Sequence, residues 1–402
     1  MNLVSELDLP VFDSSAPGFS ADAYHQQLEA AGQAGWLVRS PLAYIVLDHD
    51  SGEFFLRSRA TAFPGRRIAE FFGVTDGPLA AHIDANILNL TGEAHRRLRA
   101  LAAHAFGPRA ADRWRPVMRG FITHLWARVR AYGECDFVPA IARPYPSLTI
   151  ATVLGAPHQD AGRLHEWSRW VQRQFDVRAL ETSLSEIEGA VKELEAYVSV
   201  LLEARRADPG DDLISVLLAA QADGDKLSAA ECVSLVVNLL AGAIDTTAGQ
   251  LAHAIRLFAA HPAQWDLLAE RPLLAASAFD EVLRFEPVTP FTARICIQDI
   301  EHRGVLFPAG TIVAICAERA NREGSGGDRF DITASREARL LTFGAGPHHC
   351  LGANLARAEL EEALAFLAPR MRSLSLRGAP RLGGVEGIYG IDKLLITWSA
   401  SN

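Results

Sequence analysis

The stretch "SAAECVSLVVNLLAGAIDTTAGQLAHAIRLFAA", residues 228–260, constrains the fold more than any other part of the chain. Ser228 followed three residues later by Glu231 is a capping box, in which two orphan N–H groups are satisfied reciprocally and a helix begins. No proline interrupts the run. Its first half is apolar nearly all round, a pattern that suits only a helix surrounded by protein. At 1.5 Å per residue such a helix is roughly 45–50 Å long. The molecule therefore has to be large, and other elements have to wrap this one.

Most of the elements available for wrapping are helices. Residues 95–106, 110–132, 160–175 and 185–206 place apolar residues at three- and four-residue spacing. Strands are few and late. "IEHRGVLFPAGTIVAIC" (300–316) reads as a hairpin with Pro308 to Gly310 at the turn, and "DKLLITW" (392–398) as a closing strand. The expected architecture is one mainly α domain with small β-sheets over residues 1–402, because helices and strands interleave with no linker or repeat between them.

A net charge of −9 argues against a nucleic-acid binder driven by overall charge. The N-terminal residues lack the basic segment of a signal peptide, and no early run of about 18 apolar residues could span a membrane. A soluble, cytoplasmic protein with no membrane span is expected. The 5 cysteines, at 135, 232, 296, 316 and 350, form no C-x-x-C pair, so neither a disulfide framework nor a zinc ribbon is expected.

Four constellations carry chemistry. In "FGAGPHHCLG" (343–352) Cys350 sits among glycines just before an Ala-rich helical run. At a helix N-terminus the dipole and unpaired N–H groups stabilise a thiolate. Such a sulfur is a ligand for a soft metal such as haem iron, a nucleophile served by His348 or His349, or a small hydrophobe beside a turn. In "AGAIDTT" (241–247) Asp245 interrupts an apolar helix and needs a partner or a function. Thr246 can bond back to the carbonyl of Gly242 and bend the helix, giving a polar notch for a small ligand, or simply a satisfied kink. Glu281 and Arg284 stand at i, i+3 on an apolar helix and can form a buried pair. His95 and Arg99 stand at i, i+4 and can hold a carboxylate, or belong to a solvated face. From Arg96 to Arg119 there are seven arginines and one acid, Asp112, which reads as a basic docking surface for an acidic partner.

In this order the four resemble a bacterial cytochrome P-450, a haem-thiolate monooxygenase. Phe343-Gly344-x-Gly346-x-His348-x-Cys350-x-Gly352 matches the family's ligand loop at every fixed position. Gly242-Ala243-Ile244-Asp245-Thr246 matches its oxygen-binding helix motif, Glu281-x-x-Arg284 its E-x-x-R, and His95-x-x-x-Arg99 its haem-clamping helix. The resemblance implies a triangular helical prism around a buried haem b, with no fused reductase. Cys350 would ligate iron. His95, Arg99, Arg294 and His348 would contact the propionates, and Phe343 would pack near the thiolate, with Gly352, Gly242 and Ala243 against the cofactor. Asp245 and Thr246 would deliver protons for activation of O2. Glu281 and Arg284 would form a structural triad with Arg329. The substrate pocket would draw on Leu239, Leu240, Ala243, Thr247, Val288, Phe291, Ile388 and Tyr389, beneath a lid around "LHEWSRWVQRQF" in which Trp167 and Trp170 are core.

The resemblance further implies an apolar small molecule as substrate, in natural-product or lipid and terpenoid metabolism, with hydroxylation the foremost reaction. Electrons would come from a separate ferredoxin or flavodoxin and its NAD(P)H-dependent reductase, docking on the arginine surface together with Arg357. A haem-binding sensor or carrier without turnover is the alternative, but it would not need Asp245 and Thr246. A cysteine hydrolase would be colourless. Two departures from the family pattern stand out. Ala243 replaces a glycine often found there, and the connector "ANREGSGGDRFDI" (320–332) is short.

Overall fold

The long helix begins where its capping box places it. In a computed structural model that describes residues 2–13, 21–222, 227–336, 338–383 and 387–400, it spans Ala229–Ala260. The Ser228 hydroxyl accepts from the Glu231 N–H at 3.2 Å, and the Glu231 carboxylate accepts from the Ser228 N–H at 2.8 Å. Leu235, Val236, Val237, Ile244, Leu251, Ile255 and Phe258 are buried along its length. Among the described residues it is the one helix long and apolar enough to cross a membrane, and 61% of its apolar window lies inside the molecule, as a core helix requires.

Helices Pro144–Leu154, Ala161–Gln172 and Leu184–Ala207 pack around this central helix. Helix Ala353–Leu367 crosses it and also packs on Ala275–Phe285 and Arg115–Val129. With 59% helix and 12% strand the chain is mainly α. The segment 110–132 is not one helix: it splits into Pro108–Asp112 and Arg115–Val129, because Pro116 fits only the first turn of a helix and starts a second one.

The strands form small sheets, one of which packs on the central helix through Met371–Leu376. Leu37–Arg39, Tyr44–Val46, Ile312–Cys316, Phe291–Cys296 and Thr61–Ala62 make a five-stranded sheet in that order. The hairpin turn is at Arg303–Gly304, not at Pro308 to Gly310. Ile300–His302 pairs with Val305–Phe307, whereas Ile312–Cys316 pairs with Phe291–Cys296 and Tyr44–Val46 in a different sheet. Arg303 at φ 51° and Gly304 at φ 74° both take the left-handed conformation that a two-residue turn between twisted strands requires. "DKLLITW" divides into Ile391–Lys393 and Leu395–Ala400. Gly249 lets the pocket-side loops lie on the central helix: a Cβ there would stand 2.7 Å from Val288 Cγ2.

Candidate active site

The cysteine loop is closed by its own backbone. The Cys350 N–H donates to the Phe343 carbonyl at 2.8 Å. Gly346, at φ 68°, presses on the backbone of Leu56 and Arg57, which a Cβ would meet at 2.8 Å. Helix Ala353–Leu367 starts directly after, with Gly352 at its cap. The N–H groups of Gly352 and Ala353 and the Arg99 guanidinium act on the sulfur and favour the thiolate, but burial outweighs them and pushes the thiol up. Cys350 nevertheless keeps accessible surface. The two observations agree if the sulfur faces an enclosed space inside the molecule.

Four cationic or imidazole groups gather beside this loop. His95 and Arg99 lie one turn apart on helix Gly92–Ala105. Arg99 donates to the His349 carbonyl, and the His95 ring stands 4.3 Å from that of His348. Arg294, on strand Phe291–Cys296, is 3% exposed and donates to the Ala293 carbonyl at 2.8 Å. No carboxylate pairs with it among the described residues. Burial holds its pKa down at about 10. Burial, with His95, Arg294 and Arg99 nearby, takes His348 down to about 3. Nε2 of His95 is buried without a hydrogen-bond partner among the described residues. Two guanidiniums and two imidazoles without an anion form a costly set unless acids join it. The two propionates of haem b fit that donor set, and the cysteine sulfur fits its iron.

The polar notch of the central helix has two sides. On one, Thr246 Oγ1 donates to the Gly242 carbonyl at 2.6 Å. Gly242 is exposed, and Leu239, Ala243 and Thr246 are half-buried on the same helical face. On the other, Asp245 Oδ2 accepts from Ser168 Oγ at 2.9 Å, and Oδ1 lies 3.6 Å from Nδ1 of His165. Gln172 Nε2 and Ser168 Oγ reach the Ala241 carbonyl at 2.8 and 3.0 Å. Burial pushes Asp245 up to about 6, against the pull of Ser168, Arg169 and Arg143. The motif reading does not find His165, Ser168 and Gln172, although their i, i+3, i+7 spacing on an amphipathic helix is a polar stripe legible in the sequence.

The expected pocket residues divide. Leu239, Ala243, Phe291 and Ile388 are half-buried, and Thr247 and Val288 keep 4% and 6% of their surface. Leu240 and Tyr389, at 1% and 0%, are turned into the core. Tyr389 packs against Tyr24 and His253, with ring centroids 5.8 and 4.8 Å away. A side chain without accessible surface lines no cavity, so these two leave the pocket set. Two unanticipated residues fix the pocket-side loops to the central helix. Gln250 donates to the Glu286 carbonyl at 2.8 Å and accepts from the Val288 N–H at 2.9 Å. His253 Nε2 bonds the Tyr389 carbonyl at 2.7 Å. Trp167, 6% exposed, is core as expected and donates to Glu193 at 2.7 Å, while Trp170 is half-buried, its ring beneath the guanidiniums of Arg169 and Arg173.

The structural triad takes a different third member. Glu281 and Arg284 pair at 2.6 and 2.8 Å, buried. Arg329 is 76% exposed and pairs with Asp331 at 3.3 Å. Arg336 reaches Glu281 instead, at 3.3 Å, while Arg329 contributes only its carbonyl, to Arg284 at 2.9 Å. The short connector turns its backbone, rather than its arginine, toward the pair. The arginine surface is also less basic than its composition. Arg96 pairs with Glu93, Arg97 with Glu231, Arg113 with Asp211, and Arg115 and Arg119 with Glu362.

Comparison with known proteins gives a consistent picture. The sequence model "Cytochrome P450" matches residues 44–369. Luteothin monooxygenase of Streptomyces thioluteus is 35% identical over 398 residues, covering 98% of this chain and 97% of that one. The crystal structure of epothilone D-bound cytochrome P450epoK superposes with a TM-score of 0.88 at 26% identity, covering 97% of this chain and 99% of that one. P450BioI in complex with an acyl carrier protein ligated to hexadec-9Z-enoic acid superposes at 0.86 and 28% identity, over 93% and 98%.

Proposed function

The chain belongs to the cytochrome P450 family, the haem-thiolate monooxygenases, and from that premise we propose that it hydroxylates an apolar natural product. Haem b, when bound, supplies the redox chemistry by which two electrons and two protons split O2, one oxygen atom going to substrate and one to water. Cys350 holds the iron through its sulfur. His95, Arg99, Arg294 and His348 hold the propionates, and Phe343 shields the thiolate side. Asp245 and Thr246 move the protons. At rest the Thr246 hydrogen is committed to the Gly242 carbonyl, which leaves the lone pairs of Oγ1 to receive a hydrogen bond from a water.

The observation that carries the substrate class is the face made by Leu239, Gly242, Ala243 and Thr246: it holds apolar groups and one hydroxyl but no charge. Phe291, Val288 and Ile388 add apolar surface. Luteothin monooxygenase and the epothilone D complex are relatives named for natural products, which supports the same class. The carrier-protein complex among the structural relatives supports a tethered acyl chain as the second reading.

Electrons reach the enzyme from a ferredoxin or flavodoxin and its NAD(P)H-dependent reductase, a cytoplasmic arrangement. The carrier docks at a cleft of about 440 Å³ beside the cysteine loop, lined by Arg336, Arg339, Arg357 and His349. Arg336 and Arg357 pair with Glu281 and Asp280, which also line the cleft, while Arg339 is exposed there with no ion pair among the described residues and supplies the free positive charge of this face. Charge reversal in Arg339→Glu should lower the rate of electron transfer and leave substrate affinity unchanged.

Titration of the ferric enzyme against a panel of apolar natural products tests the substrate reading. A saturable blue shift of the Soret band with one chemical class is expected. A shift only with charged, hydrophilic compounds would overturn it, and a shift only with acyl chains presented on a carrier protein would favour the second reading.

A further inference from the structure

Asp245 is held from the side opposite Thr246, and the groups that hold it are not charged partners. Its Oδ2 accepts from Ser168 Oγ at 2.9 Å, and its Oδ1 stands 3.6 Å from His165 Nδ1. His165 is 8% exposed, and neither ring nitrogen has a hydrogen-bond partner among the described residues. The charged groups acting on the pair are Arg143, at the start of helix Pro144–Leu154, and Glu166 and Arg169, on the same helix as His165. Glu166 and Arg169 pair with each other at 2.9 Å. None of the three touches Asp245 among the described residues. Burial takes His165 down to about 4, so its ring is neutral near pH 7. A buried imidazole left unpaired at both nitrogens costs stability, and packing alone does not account for its place beside a carboxylate.

We propose that His165 relays protons to Asp245 from the Ala161–Gln172 side, with Ser168 holding the carboxyl to receive them. The inference rests on Asp245 being the proton station of the active site. After Asp245 has passed its proton toward Thr246, the carboxylate draws the imidazole in by about half an ångström to hydrogen-bond distance. The Nδ1–H bond breaks as the O–H bond forms on Oδ1, and Nε2, buried at rest, takes a proton from a water that reaches it as the ring moves in. One proton enters from solvent and one leaves to Asp245, and no electrons move. A ring bound at neither nitrogen breaks no hydrogen bond when it flips and resets. The Ser168 hydroxyl has one hydrogen and two acceptors within reach, Asp245 at 2.9 Å and the Ala241 carbonyl at 3.0 Å. It turns to Asp245 when the carboxyl is ionised and to Ala241 when it is protonated.

The test uses the haem-loaded enzyme with a surrogate ferredoxin and reductase, without added substrate, under O2 and NADH. Proton delivery directs reduced oxygen to water, and its failure releases hydrogen peroxide. In His165→Gln the peroxide-to-water ratio should rise about tenfold or more, in the range for losing a positioned proton donor. In both enzymes the ratio should rise from pH 6 to 8, because the Asp245 carboxyl, at about 6, loses its resting proton over that range, and the variant should stay above wild type throughout. A second readout needs no turnover. Asp245→Asn identifies the Asp245 carboxyl band in the infrared, and its shift on mixing into D2O should slow about tenfold or more in His165→Gln. A wild-type ratio at every pH and wild-type exchange in His165→Gln overturn the relay while leaving Asp245 as the station. If Asp245→Asn itself keeps the wild-type ratio, the station reading fails and the relay falls with it. His165→Asn gives the same tests if the glutamine variant does not fold.

Discussion

Replacing Arg336 should destabilise the enzyme measurably, and replacing Arg329 should not. The Glu281 carboxylate is 4% exposed and accepts from Arg284 at 2.6 and 2.8 Å, from the Asp331 N–H at 2.9 Å and from Arg336 at 3.3 Å. The remaining N–H groups of Arg284 reach the carbonyls of Gly327 at 2.6 Å and Arg329 at 2.9 Å. Removing Glu281 therefore strands a buried guanidinium, which costs about 3–5 kcal/mol. Arg336 makes three long contacts, to Glu281 at 3.3 Å and to the carbonyls of Arg329 and Gly326 at 3.2 and 3.4 Å, from a side chain that is 27% exposed; discounted for solvent screening, its loss costs about 1 kcal/mol. Arg329, 76% exposed, is worth under about 0.5 kcal/mol. The expected order is Glu281→Gln, then Arg336→Ala, then Arg329→Ala, read from urea midpoints by far-ultraviolet circular dichroism. The cysteine loop should report the same order. Thr342, next to Phe343, donates to the Leu283 carbonyl at 2.8 Å and accepts from Asn321 at 2.8 Å, so Glu281→Gln should also lose the thiolate form of the carbon monoxide complex. Equal destabilisation by Arg329→Ala and Arg336→Ala would refute this account of the triad.

Asp245→Asn should stabilise the fold at neutral pH. The folded carboxyl sits at about 6, above the ordinary 3.8, so the folded state holds its proton more tightly than the unfolded state. Stability is then lost as pH rises from about 4 to about 6, and the variant should gain up to about 3 kcal/mol above that window and little at pH 4; equal midpoints at pH 4 and 7.5 would count against it. Gln250→Leu leaves the Glu286 carbonyl and the Val288 N–H unpartnered in the core and should cost about 2–4 kcal/mol. Because those groups set the edge of the pocket, it should also weaken ligand-induced Soret shifts, whereas an unchanged titration would show that the loop is held from elsewhere.

What was legible in the sequence was local. The capping box of Ser228 and Glu231 and the bond from Thr246 to Gly242 lie within one turn, so spacing alone specifies them. The cysteine loop was legible because each fixed position answers a need of a single short turn. What escaped was set by partners far along the chain. Arg336 and Arg329 are both near enough in sequence to be the third member of the triad, and only the path of the connector decides between them. The acids that neutralise Arg97, Arg113 and Arg115 stand at 231, 211 and 361, so counting charges in one segment overstated its field. At the hairpin, Pro308 to Gly310 carries the stronger turn composition, yet the strand beyond it pairs in another sheet, where the long-range partners outweigh local preference.

The polar residues of the central helix offer a rule that would have recovered part of what was missed. A polar group in an apolar helix requires a partner, and the helical angle of each one points to the neighbour that must supply it. Asn238 is satisfied within its own turn by Ser234, at 2.7 Å. Thr246 is satisfied the same way by Gly242, on the face of Leu239 and Ala243. Asp245, about 100° round the helix from Thr246, has no acceptable partner in its own turn and so predicts a donor on the helix packed against that face; Ser168 is that donor, with His165 beside it. Gln250 and His253 lie one turn apart near the far end and predict bare backbone opposite, which the loops around Val288 and Tyr389 supply. Angle separates the lid contact at Asp245 from Thr246, and distance along the axis separates Thr246 from the pocket edge at Gln250 and His253, which lie within about 40° of it. A variant that moves Asp245 to another face would lose the Ser168 hydroxyl and set a carboxyl against a neighbour that supplies no donor, so it should cost stability as well as proton delivery.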